Sequence, residues 1–386
     1  MPRRRASSQR GIIVLFVTVL LVIYGLYSSL TGSTVNINIG PTKTPVVAAT
    51  TVPGSSWWQV YFTNPLTIND PNNYSASIEQ KLIDHINAAR TSIHIASFEF
   101  DLTPVAEALI AAHNRGVDVR WVTDDEHGLV ADTEPGHGQF AMLKNAGIEV
   151  RSDDRTDLMH NKFWIFDGEI LWTGSTNITK NGIFVQDNNT IVFSSPELAA
   201  IYEREFQEMW DGQFGPRSPS QLNEQSLVLS GTPIRVIFTS EDPALETLII
   251  PMVSGARSSV RFLAFSFTDF PLADAMIQRA KAGVSVSGVI DKTQSGGQGS
   301  ELGTLFCGQI PVRQDGNPQF MHSKVIIIDD RYVITGSLNY STSAEESNDE
   351  NVIVIDNPDI ARLYVQDFDR VYRQGTAPDP SKFTCP

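Results

Sequence analysis

The sequence predicts an α/β fold built as a bilobal tandem repeat, each lobe a mixed β-sheet flanked by helices. Three observations predict it. Residues 92–125, SIHIASFEFDLTPVAEALIAAHNRGVDVRWVTDD, return at 259–292 as SVRFLAFSFTDFPLADAMIQRAKAGVSVSGVIDK, an offset of 167. Phe98 then falls on Phe265, Phe100 on Phe267 and Gly116 on Gly283. Residues 159–189 return at 321–351 with an offset of 162, so the second copy has lost five residues in between. The loop at 124–138 is where that length is expected to go. Within each copy, apolar strand patterns alternate with helical ones.

Each element has a local cause. Residues 93–98 form an apolar strand. Residues 104–114 carry helical spacing through Val105, Leu109 and Ala112, with Pro104 in the first turn and Gly116 as the stop. Residues 117–122 give the next strand and 139–145 a short helix. Residues 163–166 and 170–172 flank Asp167-Gly168, a two-residue hairpin signal. Residues 190–193 read as a strand and 197–210 as an amphipathic closing helix. In the second copy 269–281, 284–290, 324–328, 332–334, 352–355 and 359–373 take the same parts. The lobes are expected at 57–215 and 233–386, joined by a connection at 216–232. A pseudo-two-fold relation is expected to place the active site at the lobe interface.

The chain has 386 residues and a formal net charge of −15. Residues 1–30 hold Arg3, Arg4, Arg5 and Arg10 and no acid, which leaves 25 basic against 44 acidic side chains in the rest. Such a surface disfavours non-specific binding of nucleic acid. Residues 11–30 are uncharged and long enough to cross a bilayer. Arginines before them place the bulk of the chain outside the cytoplasm. Residues 1–30 are therefore expected to be a membrane anchor, making a single-pass cell-membrane protein with an extracytoplasmic catalytic part. A cleaved signal peptide and a secreted protein is the alternative. Residues 31–56, rich in Thr, Pro, Gly and Ser, read as a tether. Cys307 and Cys385 either pair in an oxidising exterior or remain two buried thiols.

The repeated motif carries the chemistry. His160, Lys162 and Asp167 match His322, Lys324 and Asp329. Gly174-Ser175-x-Asn177 matches Gly336-Ser337-x-Asn339. One His-x-Lys on a strand is usually accidental; two with this shared spacing are not. On a strand, residues two apart share a face, so each histidine projects beside its lysine. Ser and Asn follow where the chain enters a helix, whose free N–H groups suit an anion. The inventory fits phosphodiester cleavage with no metal or other cofactor. One histidine attacks phosphorus, and the other protonates the departing alcohol. Lys162, Lys324, Ser175, Asn177, Ser337 and Asn339 are the expected phosphate ligands. Asp167 and Asp329 sit at turns and read as structural. The run from Asp124 to His127 reads as a solvated loop rather than a cation site.

These residues resemble the phospholipase D superfamily, whose signature is H-x-K-x4-D followed by G-S-x-N. HNKFWIFD with GSTN and HSKVIIID with GSLN reproduce both motifs, and the likeness spans roughly 57–376. The resemblance implies a phosphohistidine route with hydrolysis or transphosphatidylation. It also implies an acidic residue downstream of each motif that orients a catalytic histidine. Glu350 fills that position in the second copy; Asn188 stands there in the first. Support that crosses the lobe interface then gives His160 as nucleophile and His322 as general acid. A monomeric phospholipase D-like hydrolase acting on phospholipid headgroups is expected. An extracytoplasmic endonuclease of the same superfamily is the alternative. Trp57, Trp58, Phe267, Phe270 and Phe320 are candidates for an acyl entrance.

Overall fold

The computed structural model describes residues 57–385 apart from 74 and 219–223. The expected anchor and tether lie outside them. Among the described residues no helix is long and apolar enough to cross a membrane.

The first half holds β1 (Trp58–Phe62), α1 (Ile78–Ala88), β2 (Ser92–Ser97), α2 (Thr103–Asn114), β3 (Asp118–Thr123), α3 (Gln139–Asn145), β4 (Glu149–Ser152), β5 (Lys162–Phe166), β6 (Ile170–Gly174), α4 (Lys180–Phe184), β7 (Asn189–Ser194) and α5 (Pro196–Trp210). The second half holds β8 (Gln225–Leu229), β9 (Thr232–Thr239), α6 (Ile250–Ser254), β10 (Ser259–Ala264), α7 (Phe270–Lys281), β11 (Ser285–Ile290), α8 (Leu302–Cys307), β12 (Val312–Gln314), β13 (Lys324–Ile328), β14 (Tyr332–Gly336), α9 (Thr342–Glu346), β15 (Glu350–Asp356) and α10 (Pro358–Gln374). The sheets run β1-β7-β6-β5-β2-β3-β4 and β8-β9-β15-β14-β13-β10-β11-β12. They are the same sheet, with β9 in the place of β1 and β8 as an added edge. Strand β8 lies inside the stretch expected to be only a connection.

In both sheets the βαβ units are parallel and the hairpin strands antiparallel. Strands β5 and β13 are buried on both faces, so they read as unbroken apolar runs. Their alternation still sorts side chains. Phe163 and Ile165 face one core and Trp164 and Phe166 another. Val325 and Ile327 likewise face the first core and Ile326 and Ile328 a third. The shared core contains inner residues of both sheets together with Tyr202 and Phe206 of α5 and Tyr364 and Phe368 of α10. The two halves are therefore fused through one apolar layer.

Trp58 and Phe267, considered for an acyl entrance, are core residues; Phe270 is 58% exposed. The five residues absent from the second copy fall between Asp124 and Phe140, which align with Asp291 and Leu302. Cys307 and Cys385 form a disulfide.

The motif aspartates tie together the ends of neighbouring central strands, β5 to β2 and β13 to β10. Asp167 accepts from the N–H groups of Arg90, Thr91 and Ser92 at 2.7–3.1 Å. Asp329 does the same for Arg257, Ser258 and Ser259 at 2.7–3.0 Å. Burial raises both carboxyls, but the hydrogen bonds together outweigh it and hold them below the usual range. Their stabilisation is present above the unfolded carboxylate value and is lost as pH falls through the folded one. Asp329→Ala lowers stability by about 1–2 kcal/mol, allowing for solvent screening at this half-exposed edge. Urea unfolding at pH 7 measures that loss, which shrinks as the pH falls below the ordinary carboxylate range.

Candidate active site

Lys162 begins β5 and Lys324 begins β13, each with its histidine two residues earlier. The histidines are fixed from the opposite half. The N–H of His160 donates to the Asp349 carbonyl at 3.0 Å, and that of His322 donates to Asp187 at 2.8 Å. Return bonds run from Asp349 N–H to Leu158 and from Asp187 N–H to Phe320. Two short parallel bridges thus stitch each motif to the strand that follows the other motif.

Side chains repeat the exchange. His160 Nδ1 meets Glu350 Oε2 at 2.7 Å. His322 Nδ1 meets Asn188 Oδ1 at 3.1 Å. Facing a carboxylate, Nδ1 of His160 carries the proton and leaves Nε2 with its lone pair. Asn348 donates to the other Glu350 oxygen at 3.2 Å. Behind each partner lies an asparagine net. Asn351 accepts from Thr173 and Asn189 accepts from Thr335, both at 2.9 Å. Tyr202 and Tyr364 add their hydroxyls across the same interface.

Both lysines are buried. Lys162 donates to the carbonyl of His160 at 2.7 Å, and Lys324 to that of His322 at 2.6 Å. Their ammonium groups lie over Phe98 and Phe265, each 4.9 Å from the ring centre. The same rings pack on His160 and His322 at 4.8 and 4.7 Å. Phe320 packs on Phe265 and so borders the site.

Burial sets the electrostatics, and the lysines add to it. Desolvation, then Lys162 and Lys324, hold His160 well below the usual imidazole range. Desolvation, then Lys324 and Lys162, do the same to His322. Burial brings Lys162 down to about 8, against the pull of Glu350 and Glu99. Burial lifts Glu350 to about 7, against the pull of Lys162 and bonds from Ser337 and Asn348. The free site thus holds neutral imidazoles beside cations that titrate early, a place suited to an anion that supplies the missing charge.

Two expectations change. The serines are not free to hold phosphate. Ser175 Oγ donates to Asn188 Oδ1 at 2.8 Å and accepts from Asn189 N–H at 3.1 Å. Ser337 Oγ accepts from Asn351 N–H at 3.0 Å and hydrogen-bonds Glu350. Each orients the group that holds a histidine. The helix starts are also spent: α4 and α9 have five residues each and are capped by Thr179 and Ser341. Close backbone packing explains the motif glycine instead. Gly174 and Gly336 have φ of 149° and 141°, and a Cβ there would strike the Asn189 or Asn351 carbonyl.

Asn177 and Asn339 each keep a buried amide oxygen without a partner among the described residues. Asn177 donates to Glu99 at 2.9 Å. Burial raises the Glu99 carboxyl, although Lys162 and His127 lower it. Sequence reasoning passed over Glu99; His127, at the exposed end of the loop, packs tilted on Phe98 at 4.8 Å. The run from Asp124 to His127 is not a solvated loop throughout: Asp124 is buried, and it and Asp291 accept from the N–H groups of Met159 and Met321 and so anchor the residue before each histidine. Their coincidence at an offset of 167 was the available signal. Glu99 falls on Ser266, so the repeat could not reveal it.

A family described as cardiolipin synthase, PLD-like domain, matches residues 82–210 and 249–372, one copy in each half. The chain belongs to this family. Among curated proteins it is similar to the mitochondrial cardiolipin hydrolase of Homo sapiens, 35% identical over 143 residues, 37% of this chain and 55% of that protein. It is also similar to a phospholipase D of Rickettsia bellii, 34% identical over 140 residues, 36% of this chain and 69% of that protein. The chain thus spans little more than half the length of the human relative. Among solved structures, the phosphatidylserine synthase of Haemophilus influenzae shares the fold, with TM-score 0.62 and 16% identity over 82% of this chain and 87% of that one.

The lowering of Lys162 by burial is open to direct test. In a pH titration of the chain labelled at lysine Cε, one carbon resonance moves with a midpoint near 8. Lys162→Met removes that resonance.

Proposed function

We propose that the protein is a phosphodiesterase of phospholipase D type that cleaves phospholipid headgroups through a phosphohistidine. One observation carries this reading: His160 is paired with a carboxylate from the other half, at 2.7 Å, while His322 faces only an amide. Burial and the lysines keep the His160 imidazole unprotonated at neutral pH, the state a nucleophile needs. Glu350 then stabilises the positive charge that His160 acquires on attack.

In the first step His160 Nε2 forms a bond to phosphorus and the phosphorus–oxygen bond to the headgroup breaks. His322, protonated once the anionic diester sits beside it, gives its proton to the departing alcohol. In the second step His322 removes a proton from water, whose oxygen attacks phosphorus. The phosphorus–nitrogen bond breaks and phosphatidic acid leaves. Lys162, Lys324, Asn177 and Asn339 hold the non-bridging oxygens as charge builds. No step requires a metal. The acidic surface and relatives named for cardiolipin hydrolysis and phospholipase D activity support a lipid over a nucleic acid.

Vesicles containing phosphatidylcholine, phosphatidylglycerol or cardiolipin test the substrate class, with single-stranded DNA as the competing arm. Headgroup release at 25 °C in EDTA is expected; DNA cleavage without headgroup release contradicts the lipid reading. Rapid acid quenching with a substrate labelled at phosphorus yields a labelled peptide containing His160. Label on His322 reverses the assigned roles.

The pH profile follows from two groups. As pH falls through about 7, Glu350 takes up a proton and ceases to support His160. As pH rises through about 8, Lys162 loses its charge. A bell-shaped kcat/KM is expected between those limits. Glu350→Gln removes the acid limb and lowers kcat about 100-fold or more.

A further inference from the structure

One charged side chain at the site has no counterpart in the other half and no part in the steps above. Glu99 follows β2 and stands half-buried beside Asn177, within the field of Lys162. The backbone puts it there. Phe100 and Ile178 pair in a short parallel bridge, and the Asp101 N–H donates to the Ile178 carbonyl at 3.3 Å. The Asp101 carboxylate then accepts from the Lys180 N–H at 2.7 Å. With Phe100 held against Ile178, the residues just before them, Glu99 and Asn177, are neighbours. Asn177 Nδ2 donates to Glu99 Oε2 at 2.9 Å. An ionised carboxylate only accepts, so the amide nitrogen of Asn177, not its oxygen, is the atom that faces it.

The other half repeats the frame without the carboxylate. Phe267 and Tyr340 form the matching bridge, which sets Ser266 beside Asn339. A serine reaches less far and carries no charge. Asn339 is half-exposed, whereas Asn177 is 5% exposed and tied down. An amide nitrogen has two N–H groups. Glu99 takes one, which stops rotation about the last bond of the Asn177 side chain and fixes the direction of the other. A donor already aimed when charge builds on phosphorus costs no reorganisation.

We propose that Glu99 is a positioning residue for phosphoryl transfer: it turns the Asn177 carboxamide so that its second N–H meets a non-bridging oxygen of the substrate. The proposal rests on the phosphohistidine reading above, and it makes the two asparagines unequal. Asn177, in the half that supplies the nucleophile, is aimed in advance; Asn339 turns to the substrate only on binding. The carboxylate also acts on charge. Burial raises Glu99, Lys162 and His127 pull it down, and Asp101 pushes it up. Burial lowers Lys162, and Glu350, then Glu99, then Asp124 oppose that. Removing the Glu99 charge therefore makes Lys162 lose its proton at lower pH.

Headgroup release is measured in the full chain and in two variants. Glu99→Gln keeps an oxygen for Asn177 to donate to; Glu99→Ser copies the other half. Each is read at the optimum of its own pH profile. Glu99→Ser is expected to lower kcat about 10–100-fold with KM changed less than about 3-fold, because the lost interaction is made in the transition state. Glu99→Gln is expected to restore kcat at least about 5-fold over Glu99→Ser. In both variants the alkaline limb of kcat/KM and the Lys162 carbon resonance are expected to move to lower pH. In an Asn177→Ala chain, Glu99→Ser is expected to add less than about a 2-fold loss. Equal kcat in Glu99→Gln and Glu99→Ser, or an undiminished loss from Glu99→Ser on top of Asn177→Ala, overturns the proposal. A chain without headgroup release sinks the reading beneath it, and inorganic tungstate, titrated by calorimetry, then decides this one. Glu99→Gln binding tungstate about 10-fold more tightly than Glu99→Ser upholds the positioning role. Equal binding by the two, or none by the wild-type chain, overturns it.

Discussion

The N–H of His160 is bound to the Asp349 carbonyl and that of His322 to Asp187, across the pseudo-two-fold. Neither histidine is held by its own half alone. Each lies two residues before a strand of one sheet and is hydrogen-bonded to a residue just ahead of the strand that follows the other motif. The following side chain, Glu350 or Asn188, then lies at the imidazole Nδ1. Backbone bonds buried in this way are expensive to break. The shared apolar layer built from α5, α10 and both sheets excludes water from them. The site therefore exists only when both halves are folded against each other.

Within that frame, chemistry lives in departures from symmetry. Phe98 and Phe265, Lys162 and Lys324, Thr173 and Thr335, and Tyr202 and Tyr364 are matched pairs in matched places. Glu350 and Asn188 differ, and so do Glu99 and Ser266, and Glu208 and Arg370. The first difference gives two like imidazoles unlike partners, a carboxylate for His160 and an amide for His322. The second puts a carboxylate beside Lys162 and Asn177 in one half only. The third sets a glutamate beside Glu205 where the other half has an arginine that joins Asp187 and Asp367.

Much of this was legible in the residues. The offsets of 167 and 162 located nearly every repeated strand and helix, because an amphipathic pattern that occurs twice is hard to misread. The His, Lys and Asp spacings picked out residues that the fold brings together, and the mismatch at Asn188 marked where the partners of the two histidines differ. What stayed hidden depends on non-local pairing. Strand β8 lies in a polar connection and gains its identity from pairing with β9. The serines look like phosphate ligands in a motif; only the register of β6 against β7, and of β14 against β15, aims them at Asn188 and Glu350. Helices α4 and α9 signal an open N-terminus, yet Thr179 and Ser341 close it. Glu99 lies past the end of β2, where no alternation announces burial, and Glu205 stands on the apolar stripe of α5 but its charge disguises it.

The central claim is that a carboxylate of one half and an imidazole of the other act as one unit, while the second imidazole does not share it. Nitrogen-15 NMR of the histidine-labelled chain tests this directly. The account predicts one strongly downfield Nδ1 proton that belongs to His160 and vanishes in the Glu350→Gln chain, with His322 unchanged. A downfield proton that persists in that chain, or one that belongs to His322, would contradict it.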